Sequence, residues 1–209
     1  MVKLTVSFDM PDLERAISIA AAVSNQADWF CVGLTLIKGE GMRAIRAFSA
    51  GFPEREILAD LRASIGAREE AMMAFESGAD MISVAFLASE RSCREAIGVA
   101  KTFGAKTIFD LYGATDPVGA ARKGLELGFD FLYFRAEGGI SGKYEEYRRV
   151  AAAAELPLIV DGEIEFREFA RVSKLLPASI VVGRQVTGAE DPAAAVARFK
   201  ELVRRRRAA

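Results

Sequence analysis

Asp60 and Arg62 stand two residues apart at the end of an apolar run, Glu56–Leu61. On an extended strand that spacing points both side chains the same way. A carboxylate then lies beside a guanidinium that stays protonated near neutral pH. Such a pair can polarise a substrate and stabilise a developing enolate or alkoxide. It can equally be a structural ion pair closing the top of a barrel. Similar groups follow other apolar runs: Asp9, Cys31 and Gly33, Ala85, Asp110, Arg135 and Glu137, Asp161 to Glu163, and Gly183 with Arg184. An acidic and basic set drawn from separate runs is what a polar site needs, although a solvated rim also carries charges.

Asp9 precedes Met10-Pro11-Asp12, and Asp12 competes with it for the cap of the first helix, which leaves Asp9 freer for function. Gly162 and Gly183 let backbone N–H groups approach an anion, and Arg184 would add a bidentate, charge-assisted contact. The last two runs therefore make a candidate phosphate site. Glu163 is an unfavourable neighbour there unless it points away. Arg135 and Glu137, two apart, are expected to face the same way before a flexible Gly138-Gly139. Cys31, inside an apolar run, reads first as a buried inert thiol, and Cys93 as a core residue of a helix. Lys38-Gly39-Glu40-Gly41 reads as a glycine-rich loop at a helix entry.

The elements that must position these groups alternate along the chain. Short apolar runs, suited to strands buried on both faces, are predicted at Leu4–Phe8, Trp29–Gly33, Glu56–Leu61, Met81–Ala85, Thr107–Asp110, Phe131–Phe134, Leu158–Val160 and Ile180–Val182. Amphipathic segments between them predict helices near Leu13–Val23, Gly41–Phe48, Arg68–Glu76, Arg91–Phe103, Pro117–Leu127, Tyr144–Ala154, Phe166–Leu175 and Pro192–Arg204. Gly78, Gly104 and Gly128 close helices just before a strand, at spacings of 26 and 24 residues, one strand plus one helix. Asp116-Pro117 and Asp191-Pro192 each pair an N-cap with proline at the first helical position. Eight strand–helix units predict a closed (β/α)8 TIM barrel over residues 1–209 as one domain, with an open doubly wound sheet as the alternative. The active site of such a barrel lies at the C-terminal ends of the strands.

Composition excludes several functions. The chain has 209 residues, 51% of them apolar, enough for a full core. Its net charge of −1 gives no global field towards nucleic acid or membrane. The basic run Arg204 to Arg207 reads as a solvated helix end, with a nucleic-acid tail as the other reading. Two cysteines are too few for a disulfide framework. No run reaches membrane-spanning length and no signal-peptide pattern is seen, so a cytoplasmic protein is expected. The chain has no histidine, which removes His-based triads, His metal ligands and His general bases.

Asp60-Leu61-Arg62-Ala63-Ser64-Ile65, taken with Val6-Ser7-Phe8-Asp9, Val32-Gly33, Glu40-Gly41-Met42-Arg43-Ala44-Ile45, Ala79-Asp80-Met81-Ile82-Ser83-Val84 and Val181-Val182-Gly183-Arg184, resembles the orotidine 5′-monophosphate decarboxylase superfamily over nearly the whole chain. The closest branch is that of 3-hexulose-6-phosphate synthase and 3-keto-L-gulonate-6-phosphate decarboxylase. The resemblance implies enediolate chemistry on a phosphorylated sugar, phosphate held at the last two strands, and a homodimer. It carries Asp9, Asp60, Gly183 and Arg184 over to the site. Of its Asp-x-Lys-x-x-Asp signature, the lysine falls on Arg62 and the second aspartate, which reaches a neighbouring subunit's site, on Ile65. A glutamate that helps hold Mg²⁺ falls on Cys31, a sixth-strand histidine near Arg135, and a seventh-strand Gly-Gly on Gly162-Glu163. Mg²⁺ prefers oxygen ligands, so no metal or other cofactor is expected, with Mg²⁺ by family analogy as the alternative.

The function expected from all this is a carbon–carbon lyase relative, of decarboxylase or aldolase type, with a diverged site acting on a small anionic, phosphorylated substrate. Asp9, Asp60, Arg62 and Arg135 are the expected catalytic residues, and Gly162, Gly183 and Arg184 the phosphate-binding ones. Cys31, Asp110, Glu137 and Asp161 are further candidates. A non-catalytic ligand- or partner-binding homologue and a phosphosugar isomerase or epimerase are the alternatives. An apolar Ile65 suits burial against a partner subunit.

Overall fold

The computed structural model describes residues 2–205, with no side-chain description beyond Leu202. The run Arg204 to Arg207 thus falls outside the described residues, apart from the backbone of its first two members.

Eight parallel strands close into a barrel. They are β1 (Lys3–Phe8), β2 (Trp29–Val32), β3 (Glu56–Ala63), β4 (Met81–Ala85), β5 (Lys106–Asp110), β6 (Phe131–Arg135), β7 (Leu158–Asp161) and β8 (Ser179–Val182). Each pairs with the next, and β8 closes on β1 from Lys3 opposite Ser179 to Val6 opposite Val182. The helices are α1 (Leu13–Val23), α2 (Leu34–Glu40), α3 (Met42–Gly51), α4 (Ala67–Glu76), α5 (Glu90–Phe103), α6 (Pro117–Leu127), α7 (Ile140–Ala153), α8 (Phe166–Ser173), α9 (Arg184–Thr187) and α10 (Pro192–Arg205). The closed (β/α)8 barrel expected from the strand–helix repeat is what forms, and the open sheet is not.

Alternation along each strand divides the core in two. Trp29, Cys31, Leu58, Met81, Ile108, Tyr133, Ile159 and Val181 fill the barrel interior. Phe30, Val32, Ile57, Ala59, Ile82 and Phe109 face outward into the layer under the helices. Both faces are dry, which is why the strands read as unbroken apolar runs.

Aspartates at the strand starts fix the register. Asp28 accepts a hydrogen bond from the Leu4 N–H at 2.7 Å, Asp80 from Ile57 at 2.7 Å and Asp130 from Thr107 at 2.8 Å. Two of these follow helix-closing glycines in the sequence, Gly78-Ala79-Asp80 and Gly128-Phe129-Asp130. One short motif thus ends a helix and pins the next strand to its neighbour. Asp12, Asp116 and Asp191 cap α1, α6 and α10 as expected.

Two elements differ from the sequence reading. Lys38 to Glu40 is not a loop: it is the last turn of α2, and only Gly41, at φ 61°, makes the bend into α3. The seven residues of α2 are too few to show amphipathic periodicity. In β3, the pairing with β4 slips between Ala59 and Ala63, and Arg62 sits in the left-handed region at φ 48°. The Asp60–Arg62 pair is therefore not made by a regular extended strand.

Candidate active site

A charged layer caps the barrel interior. Arg135, at the end of β6, turns its guanidinium inward among carboxylates from three other strands. Nη2 lies 2.7 Å from Asp60 of β3, Nε 2.7 Å from Asp110 of β5, and Nη1 3.3 Å from Asp161 of β7. The guanidinium also lies 3.8 Å from the centre of the Tyr133 ring, one layer below. Asp60 and Asp110 are buried. Burial pushes the Asp110 carboxyl above its usual range, against the opposing pull of Arg135, and Asp161 shifts the same way for the same reason.

Arg62 joins this layer from the β3 irregularity. Its Nε lies 3.7 Å from both Asp60 and Asp110, too long for a hydrogen bond, and has no hydrogen-bond partner. The left-handed turn is held by Ser83, whose hydroxyl accepts from the Arg62 N–H at 2.9 Å and donates to Asp60 at 2.7 Å. A third of the Arg62 side chain is exposed, against 10% for Arg135. Arg62 is thus the cation of the layer that faces outward, with the Tyr112 ring 5.5 Å away.

The mouth above this layer has two lobes. One, of about 280 Å³, is bounded by Arg62, Tyr112, Arg135, Glu137, Gly162 and Glu163. The other, of about 370 Å³, is bounded by Ser7, Asp9, Gly183, Arg184, Gln185 and Thr187. Asp161 and Glu163 border both. Of the three carboxylates around Arg135, Asp161 alone reaches the lobes.

Most of the residues singled out in the sequence converge here, with roles that differ in detail. Asp9 lines the second lobe, but one oxygen accepts from the Thr35 N–H at 2.7 Å, capping α2. Gly33, the residue before α2, has no side chain to do so. A Cβ at Gly33 would come within 2.6 Å of Asp9, so glycine is what permits the approach. Arg135 and Glu137 both border the first lobe, but Arg135 turns into the carboxylate layer while Glu137 accepts from the Tyr112 hydroxyl at 2.9 Å. Glu163 does not point away from the second lobe, which it lines. It forms an ion pair with Arg184. Cys31 lies sealed in the barrel interior and burial raises its thiol well above its ordinary range, while Cys93 is buried in α5. Ala85 contributes nothing to either lobe.

Ser83, Tyr133 and Tyr112 are not among the site residues expected from the sequence. Ser83 carried a readable signal. It is the hydroxyl two residues after Met81, hence on the inward face of an otherwise apolar strand. Tyr112, beyond the strand end, carried none.

The residues do not suit a divalent cation at the position implied by the resemblance. The Cys31 thiol is buried and held neutral, and Asp60 is engaged by Ser83 and Arg135. Among the described residues no group of three or more carboxylates or thiols is arranged to hold a metal.

The 3-hexulose-6-phosphate synthase of Mycobacterium gastri is 28% identical over 206 residues, covering 97% of this chain and 100% of its own. The 3-keto-L-gulonate-6-phosphate decarboxylase of Escherichia coli O139:H28 (strain E24377A / ETEC) is 30% identical over 110 residues, 53% of this chain and 51% of its own. A crystal structure of 3-hexulose-6-phosphate synthase superposes with a TM-score of 0.90 at 27% identity, covering 96% of this chain and 99% of that one. The model of the orotidine 5′-phosphate decarboxylase / HUMPS family matches residues 2–124, more than half of the chain, and the protein belongs to that family.

Proposed function

We propose that the protein is a carbon–carbon lyase that acts on a small ketose phosphate in the cytoplasm, through an active site rebuilt around arginine and without a metal. The observation that carries this reading is the split of the charged layer. Asp60 and Asp110 form its sealed floor, Arg135 lies 10% exposed at the bottom of the first lobe, and Arg62 and Asp161 open onto the lobes. When a bond beside a carbonyl breaks by decarboxylation or retro-aldol cleavage, its electron pair passes into an enolate. Arg62 faces the space where that charge develops, and a fixed cation lowers the barrier most when it meets charge that exists only in the transition state. Asp161, the carboxyl that borders both lobes, carries the proton: it takes one from the substrate hydroxyl in a retro-aldol cleavage, or from water after a decarboxylation, and passes it to the resulting carbanion carbon. Asp60 and Ser83 hold Arg62 in its left-handed turn. The second lobe, with Gly183 and Arg184, takes the phosphate end.

The test is incubation with 3-hexulose 6-phosphate and 3-keto-L-gulonate 6-phosphate in D₂O, followed by NMR. Turnover with deuterium at the product carbon is expected, unchanged by EDTA. Arg62→Ala should lower kcat by roughly 10²–10³ with little change in KM, the scale of one transition-state donor. Asp161→Asn should bind ligand but lose deuterium incorporation. Absence of product, exchange and binding for both sugars would refute the reading. Binding without product would instead favour a non-catalytic ligand-binding barrel, the role suggested by a floor whose groups are already paired with one another.

A further inference from the structure

The lobe at the ends of β7 and β8 contains a carboxylate where an anion is to sit. Glu163 follows Gly162 directly and adopts φ 50°, a left-handed conformation that side chains with a Cβ enter only at a steric cost. That turn sets its carboxylate on the Arg184 guanidinium, across the gap between the two strand ends. The charges lining the lobe are three carboxylates, Asp9, Asp161 and Glu163, against one guanidinium. Asp9 and Asp161 have other donors, Thr35 and Arg135 respectively. Glu163 is the carboxylate that neutralises Arg184.

We propose that Glu163 is a specificity-determining residue, a built-in competitor that holds the Arg184 fork until an anionic ligand displaces it. This rests on the reading of the second lobe as the phosphate end of the site. The Glu163–Arg184 pair is exposed on both sides, 55% and 81%, so water and salt screen it and a ligand can open it. Inorganic phosphate has only its charge with which to displace Glu163. A sugar phosphate also contacts the first lobe and so outcompetes the carboxylate. Glu163 therefore keeps the lobe free of inorganic phosphate at concentrations at which the whole ligand, with its added contacts, still binds.

The experiment is calorimetry with inorganic phosphate at fixed ionic strength on the full chain and on four variants: Glu163→Gly, Glu163→Gln, Arg184→Ala and the double variant Glu163→Gly/Arg184→Ala. Glu163→Gly should bind about tenfold more tightly than wild type, the scale of removing one nearby like charge close to the surface. Glu163→Gln should give a similar gain, which separates the charge from the backbone strain. Arg184→Ala should bind too weakly to detect, and the double variant should show no gain. Glycine adopts φ 50° freely, so Glu163→Gly should unfold thermally at or above the wild-type temperature. If both Glu163 variants bind as wild type does while Arg184→Ala does not bind, the phosphate lobe stands and the competitor role is wrong. If none of the proteins binds phosphate, the lobe is not an anion site and both readings fall.

Discussion

Arg135 is fixed in place by carboxylates from three other strands. It is 10% exposed and surrounded by three aspartates, so its charge organises the floor of the site. Removing one partner of a buried ionic group costs about 3–5 kcal/mol, because the remaining charges stay desolvated and unpaired. Arg135→Met should therefore lower unfolding stability by about that amount, and the loss should depend on pH. Asp110 and Asp161 have folded-state pKa values raised above the unfolded value. Each is fully stabilising below its unfolded pKa, and that contribution disappears as pH rises through the folded one. In that window the folded state binds more protons, so stability falls as pH rises. Losing Arg135 removes the opposing pull of its positive charge and raises both values further. Urea midpoints of Arg135→Met should climb as pH is lowered from 8 to 5, more steeply than for wild type. A pH-independent loss would mean that the carboxylates relax apart in the variant.

At the scale of elements, α2 explains why Asp9 was only half legible. The sequence showed that Asp12 takes the cap of α1, which is so. It could not show that Asp9 caps a helix starting 25 residues later, because that contact exists only once β1 and β2 pair. The β3 irregularity is the same kind of case. The spacing of Asp60 and Arg62 suggested a pair and the pair exists, but by a bulge that Ser83 supports from β4. By contrast the strand runs, the glycine helix ends and the aspartate caps are local signals, and they located all eight strands to within two residues at each end. Asp9 lets cap and site be separated. Asp9→Ala should cost about 1 kcal/mol by uncapping α2, and Asp9→Asn should restore most of that, since asparagine caps equally well. Turnover of a sugar phosphate should stay impaired in both variants. Full activity in Asp9→Asn would reduce Asp9 to a cap.

On the whole molecule, three large apolar side chains among the described residues stand mostly bare, Leu176 before β8 and two others beyond the strand ends. Ile65 is 93% exposed and Leu87 78% exposed, and they lie just beyond the ends of the adjacent strands β3 and β4. Large side chains left so bare lower solubility unless another surface covers them. Ile65 follows Arg62 by three residues at the end of β3, so a second copy docking on this face would lie close to the first lobe. We propose that the protein is a homodimer through this face, with Ile65 packed where the family places an aspartate. A dimer of two-fold symmetry would bury Ile65 of both copies in one interface. Ile65→Arg would then introduce two uncompensated charges into that interface, each costly to desolvate. Light scattering at micromolar concentration should give a dimer for the wild type and a monomer for Ile65→Arg, with circular dichroism unchanged. A wild-type monomer would overturn the proposal, and a dimer that survives Ile65→Arg would place the interface on another face.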